Sequence, residues 1–140
     1  MIKTIISIFV ACMGYSIVFN VNLKKIVYAS INCCFGYAVY QLCQPLGNYV
    51  ALVISSFVIT FVSELLARFS KTPVTVYLVC ALIPLVPGMG AYYTVLYILN
   101  GLKNLALSRG LDTLVQAGSI VVGVSFASNL FKAFSSLKKH

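Results

Sequence analysis

The chain has 140 residues, of which 61% are apolar and only 9% charged. A soluble domain carries about a quarter charged residues, so this balance excludes a soluble globular fold. The net charge of +8 comes from ten Lys and Arg against two acids; these cations sit singly or in pairs at the ends of apolar runs, as topology signals and headgroup contacts do, which argues against nucleic acid as a partner and for membrane lipid.

Roughly 20 mostly apolar residues cross the hydrocarbon core of a bilayer. The first uncharged run, residues 4–23, has that length and is closed by Lys24-Lys25. One Lys and an apolar stretch also begin a signal peptide, but no A-x-A-like cleavage site follows. Phe9-Val10-Ala11-Cys12 only faintly matches a lipoprotein signal, so the run is expected to be an uncleaved first helix. Residues 26–63 then carry no charge, which is too long for one helix, and Gln44-Pro45-Leu46-Gly47-Asn48 supplies the turn between two. The third crossing returns to water at Glu64, Arg68 and Lys71. Pro73 suits the start of a fourth, where its missing N–H falls among donors that lack partners anyway.

Residues 72–102 are again uncharged but contain Ile83-Pro84-Leu85-Val86-Pro87-Gly88-Met89-Gly90 near their middle. In a continuous helix Pro84 would leave the Cys80 carbonyl without a donor, and Pro87 would do the same to Ile83. Irregular backbone at membrane depth is tolerated only where protein or a water-filled cavity covers it, and many transporters hold substrate at such breaks. A half-helix starting near Gly88 would favour an anion at its N-terminal end. Pro84, Pro87, Gly88 and Gly90, with the hydroxyls of Tyr92, Tyr93 and Thr94 just beyond, therefore form the candidate substrate site. An ordinary proline kink repaired by neighbouring helices is the structural alternative.

Residues 103–112 are expected to be a polar connection, and residues 113–131 the last uncharged run. Ser119, Gly123 and Ala127 recur there every four residues, a small-residue stripe that admits another helix at close range. That neighbour belongs to this chain, to a second copy in a homo-oligomer, or to another subunit; spacing does not distinguish these. The expected fold is thus all-α: a single-domain membrane bundle of five transmembrane helices, about 4–23, 26–43, 48–67, 73–100 and 113–132, with the fourth broken at Pro-x-x-Pro-Gly. With an odd number of crossings, seven Lys and Arg share the C-terminal side and three the other. That asymmetry places the N-terminus outside and the C-terminus inside.

Glu64 shares a helix face with Ser56, Thr60, Ser63 and Ala67. An acid inside the membrane is a functional candidate, for example a proton carrier. At the interface it would instead pair with Arg68 one turn later. Cys12, Cys33, Cys34, Cys43 and Cys80 show no C-x-x-C spacing and have no His nearby, so no metal or cofactor is expected. His140 is the sole histidine, and no nucleophile–base set is present, which argues against an enzyme.

Glu64, Ala67-Arg68, Lys71, Pro73, the Ile83–Gly88 motif and Ala91-Tyr92-Tyr93-Thr94, with Phe19-Asn20-Val21 as a weaker signature, resemble the small membrane subunit of the threonine/serine exporter family, the half that stands alone when the exporter is split. The resemblance implies a subunit of the cytoplasmic (inner) membrane. A larger partner with its own transmembrane helices would join it to export threonine, serine or a small carboxylated metabolite such as succinate. It also implies use of the proton gradient, for which Glu64 is the coupling candidate. A scaffold subunit without a substrate site is the competing expectation.

Overall fold

The computed structural model describes residues 2–19 and 21–137, without the side chains at positions 2, 23, 24 and 135–137. Asn20 of the weaker signature, together with Lys138, Lys139 and His140, lies outside the described residues. All regular structure among those described is helical: α1 (Ile2–Val18), α2 (Leu23–Cys43), α3 (Asn48–Ser70), α4 (Val74–Leu82), α5 (Gly88–Leu99) and α6 (Lys103–Leu137), with 3-10 turns at Gln44–Leu46 and Ile83–Leu85. By length and composition α2, α3 and α6 can each cross a bilayer, and α4 with α5, bent by 53° at their break, has the apolar length of a broken span or a re-entrant loop. The 17-residue α1 is apolar and stands at the short end of what crosses a bilayer.

The connections follow from local chemistry. Pro45 opens the turn after α2, and Gly47 then takes φ 113° and ψ 143°, a region that residues with a Cβ rarely enter. Lys71 ends α3 in the left-handed conformation while Thr72 N–H closes back on the Ala67 carbonyl at 3.0 Å. Pro73 caps α4 directly afterwards.

Two expected helix boundaries are corrected. The last helix begins at Lys103, not at Thr113, and the connection before it shrinks to residues 100–102. Polar side chains do not by themselves end a helix, and residues 103–112 carry Lys, Leu, Ala and Arg, all good helix formers. Ala106 is buried there, Gly110 approaches Thr94 of α5, and Gly90 of α5 approaches Thr113 just beyond the segment. The first helix likewise stops at Val18 rather than at residue 23, where Val21 N–H turns back to the Ser16 carbonyl at 3.0 Å.

The bundle carries small polar side chains within its apolar core and large apolar ones on its outside. Ser16, Ser30, Asn32, Ser55, Ser56, Thr60 and Ser63 are buried, whereas Val18 is 79% and Phe69 86% exposed. Water would penalise that arrangement. Lipid favours it, because helices there associate through small residues and interhelical hydrogen bonds. Most hydroxyls bond within their own helix, as Ser16 does to the Cys12 carbonyl at 2.8 Å and Thr60 to the Ser56 carbonyl at 2.7 Å. Asn32 crosses from α2 to α3, donating to Ser63 Oγ at 2.9 Å and to the Ile59 carbonyl at 3.3 Å.

The seam between α3 and α6 sets the height of everything else. The two helices run parallel: Tyr49 meets Asp112, Ser56 meets Gly123, Phe57 meets Phe126 and Phe61 meets Phe131. A Cβ at Gly123 would run into Ser56 Oγ and the Val53 carbonyl, and Ala127 one turn on is fully buried. Gly123→Ala should therefore lower stability by about 1–3 kcal/mol through overpacking. Gly118→Ala, whose Cβ meets nothing within 4 Å, should be neutral or slightly stabilising; thermal melting of both variants in detergent checks the contrast.

Candidate substrate site

The site grows from two missing amide protons. With Pro84 unable to donate, the Cys80 carbonyl at the end of α4 accepts instead from the Cys12 thiol of α1 at 3.3 Å. With Pro87 unable to donate, the Ile83 carbonyl accepts from Val86 N–H at 3.2 Å and closes the 3-10 turn. Val86 is extended, Pro87 caps α5, and the helix axis turns by 53°. Gly88 N–H bonds back to the Val86 carbonyl at 2.7 Å, and the first α5 bond runs from Ala91 N–H to the Pro87 carbonyl at 3.2 Å. The amides of Met89 and Gly90 have no acceptor there. They form the positive end of a 12-residue helix.

Beside these amides lies a cavity of about 580 Å³ between the break, α5 and α6, lined by Pro87, Gly88, Gly90, Tyr93, Tyr97, Arg109, Asp112 and Gln116 among others. Four of the seven residues predicted for the site, Pro87, Gly88, Gly90 and Tyr93, meet here. Pro84 lines a smaller neighbouring cavity of about 90 Å³ with Tyr37, Tyr40, Asn48 and Gln116. Tyr92 stays on the exposed side of α5, its ring 5.5 Å from that of Tyr93. Thr94 faces a separate apolar groove of about 670 Å³ on the α5–α6 hairpin and bonds to the Gly90 carbonyl at 2.8 Å.

Sequence reasoning missed Arg109, Asp112, Gln116, Tyr97 and Tyr49. The first three follow the i, i+3, i+7 spacing of one helix face, a signal hidden by reading residues 103–112 as a connection. Asp112 is held from two sides: Tyr49 Oη donates to Oδ1 at 2.6 Å, and Gln116 Nε2 donates to Oδ2 at 3.0 Å. The arrangement offers donors and a guanidinium to an anion, and a carboxylate to a cation.

Glu64 is elsewhere. It lies on α3 fifteen positions beyond Tyr49, roughly 22 Å along the axis at 1.5 Å per residue. Arg68 does not close on it: the guanidinium carbon sits 4.5 Å from the centre of the Phe131 ring, a cation–π contact. Among the described residues no Lys or Arg nitrogen lies within 4.0 Å of an acidic oxygen, and no group of three His, Cys, Asp or Glu could hold a metal ion. Of the small-residue stripe, Gly123 and Ala127 face inward, while Ser119 bonds to the Val115 carbonyl at 2.9 Å on its own helix.

No significant match is found among curated proteins or among solved structures. The family model described as "Threonine/Serine exporter, ThrE" matches residues 4–130, nearly the whole chain. A match over that length supports a membrane exporter role for this apolar helical bundle, and the chain belongs to the threonine/serine exporter family.

Proposed function

We propose that the chain is a membrane subunit of a secondary exporter that moves threonine, serine or small dicarboxylates such as succinate out of the cell together with a larger helical subunit. The observation that carries this reading is the cavity at the interrupted helix, where the free amides of Met89 and Gly90 share a wall with Arg109. A substrate carboxylate placed there meets two donors, a positive helix end and a guanidinium, with Tyr93 and Tyr97 beside it. Rocking of the α5–α6 hairpin against the partner would then expose the cavity alternately to the two sides.

In this reading α1 completes a five-crossing topology with α4–α5 as its broken fourth span, in the cytoplasmic membrane, N-terminus outside. Cysteines introduced at positions 24 and 138 should react with an impermeant thiol reagent only after the membrane is opened; labelling of intact cells would reverse the orientation.

Radiolabelled threonine and succinate efflux from vesicles tests the activity, with this chain alone and then with the larger subunit. Transport only by the pair is expected. Gly88 has open space where a side chain would go, so Gly88→Leu should assemble normally yet fill the cavity mouth and cut efflux at least about tenfold, the effect of losing some 1.4 kcal/mol of binding. Full-rate export by an assembled Gly88→Leu complex would leave the chain a scaffold.

A further inference from the structure

The cavity at the break carries opposite charges on one wall. Arg109 and Asp112 are three residues apart on α6 and both line it. Asp112 takes hydrogen bonds from the neutral Tyr49 and Gln116, and among the described residues no Lys or Arg nitrogen lies within 4.0 Å of an acid. A carboxylate has about four acceptor positions, so each oxygen, held by a single side-chain donor, keeps room for another. Tyr49 at the start of α3 and Gln116 one turn along α6 set its carboxylate in place without discharging it.

We propose that Asp112 is a specificity-determining residue that binds the ammonium group of a zwitterionic cargo, while Arg109 takes the carboxylate. The proposal rests on the exporter reading above and narrows it. A dicarboxylate entering the same cavity would set its second anion against Asp112, so the native site favours amino acids over dianions. Tyr49 and Gln116 are positioning residues: they orient the carboxylate from two helices and tie the cavity wall to the α3–α6 seam.

The test is efflux of labelled threonine and labelled succinate from the same vesicles, containing this chain with its larger subunit. Asp112→Asn keeps the size of the side chain and removes its charge. The threonine-to-succinate ratio should fall at least about tenfold, the lower end of what a charge-assisted hydrogen bond contributes. Asp112→Glu should stay on the amino-acid side, and Tyr49→Phe should shift the ratio in the direction of Asp112→Asn by a smaller factor. An unchanged ratio in Asp112→Asn overturns the assignment, whether both rates drop together or neither does. A wild-type complex that carries succinate but not threonine also overturns it. Transport of neither cargo by the wild type defeats the exporter reading itself, a result separable from any effect of position 112.

Discussion

Backbone carbonyls buried away from water must find donors, and in this chain Pro84 and Pro87 withdraw two of them within four residues. In an apolar bundle each orphaned group costs several kcal/mol, so the surrounding structure is arranged around their repair. The Cys12 thiol covers Cys80, which ties α1 to α4. The Val86 amide covers Ile83, which commits the chain to a 3-10 turn and then to extended backbone. Carbonyl repair leaves the opposite deficit on the far side of the break, where α5 begins with amides that find no acceptor among the described residues. The same two prolines therefore explain a core contact, a bend and an anion-attracting surface.

Packing in the remainder of the bundle depends on thin side chains. Where α3 and α6 run side by side, Gly123 lets the helix backbones approach, and the Phe57–Phe126 and Phe61–Phe131 ring contacts extend the seam. Gly36 against Ile59 and Gly90 against Thr113 play the same part between α2 and α3 and between α5 and α6. Ser16, Ser55, Ser56 and Thr60 fit this scheme because their hydroxyls return to their own helix and ask nothing of the lipid. The stagger that results carries the first third of α6 past the start of α3. Asp112 thus stands level with Tyr49, and α5 lies along the projecting segment.

The two acids of the chain have different settings. Glu64 was the conspicuous one in the sequence because it closes a long uncharged run, but the residue expected to pair with it, Arg68, lies over an aromatic ring on α6. Asp112 looked like the end of a polar loop and is instead a fixed carboxylate in the wall of the cavity. Distance separates their roles: about 22 Å of α3 lies between Glu64 and the level of Asp112.

Hydrophobicity, proline and glycine are local properties, and what they govern was legible in the sequence alone: a membrane-embedded all-helical chain, the turn at Gln44–Asn48, the helix start after Pro73, and the carbonyls at Cys80 and Ile83 that would need new donors. Which groups would supply those donors was not legible, since a thiol sixty-eight positions away becomes a neighbour only after α1 packs on α4. Nor was the extent of α6. Its first ten residues are polar enough to read as a connection, and their helical state is supported by contacts with α5 that exist only once the hairpin has closed. Pro87, Gly88, Gly90 and Tyr93 could be named because they are close in sequence to the break; Arg109, Asp112 and Gln116 join them only when α6 folds back along α5, and Tyr49 only through the parallel alignment of α3 and α6. Sequence determined where the backbone must fail. Tertiary structure decided what faces the gap, because side-chain neighbours across helices are set by packing height, which no single run of residues encodes.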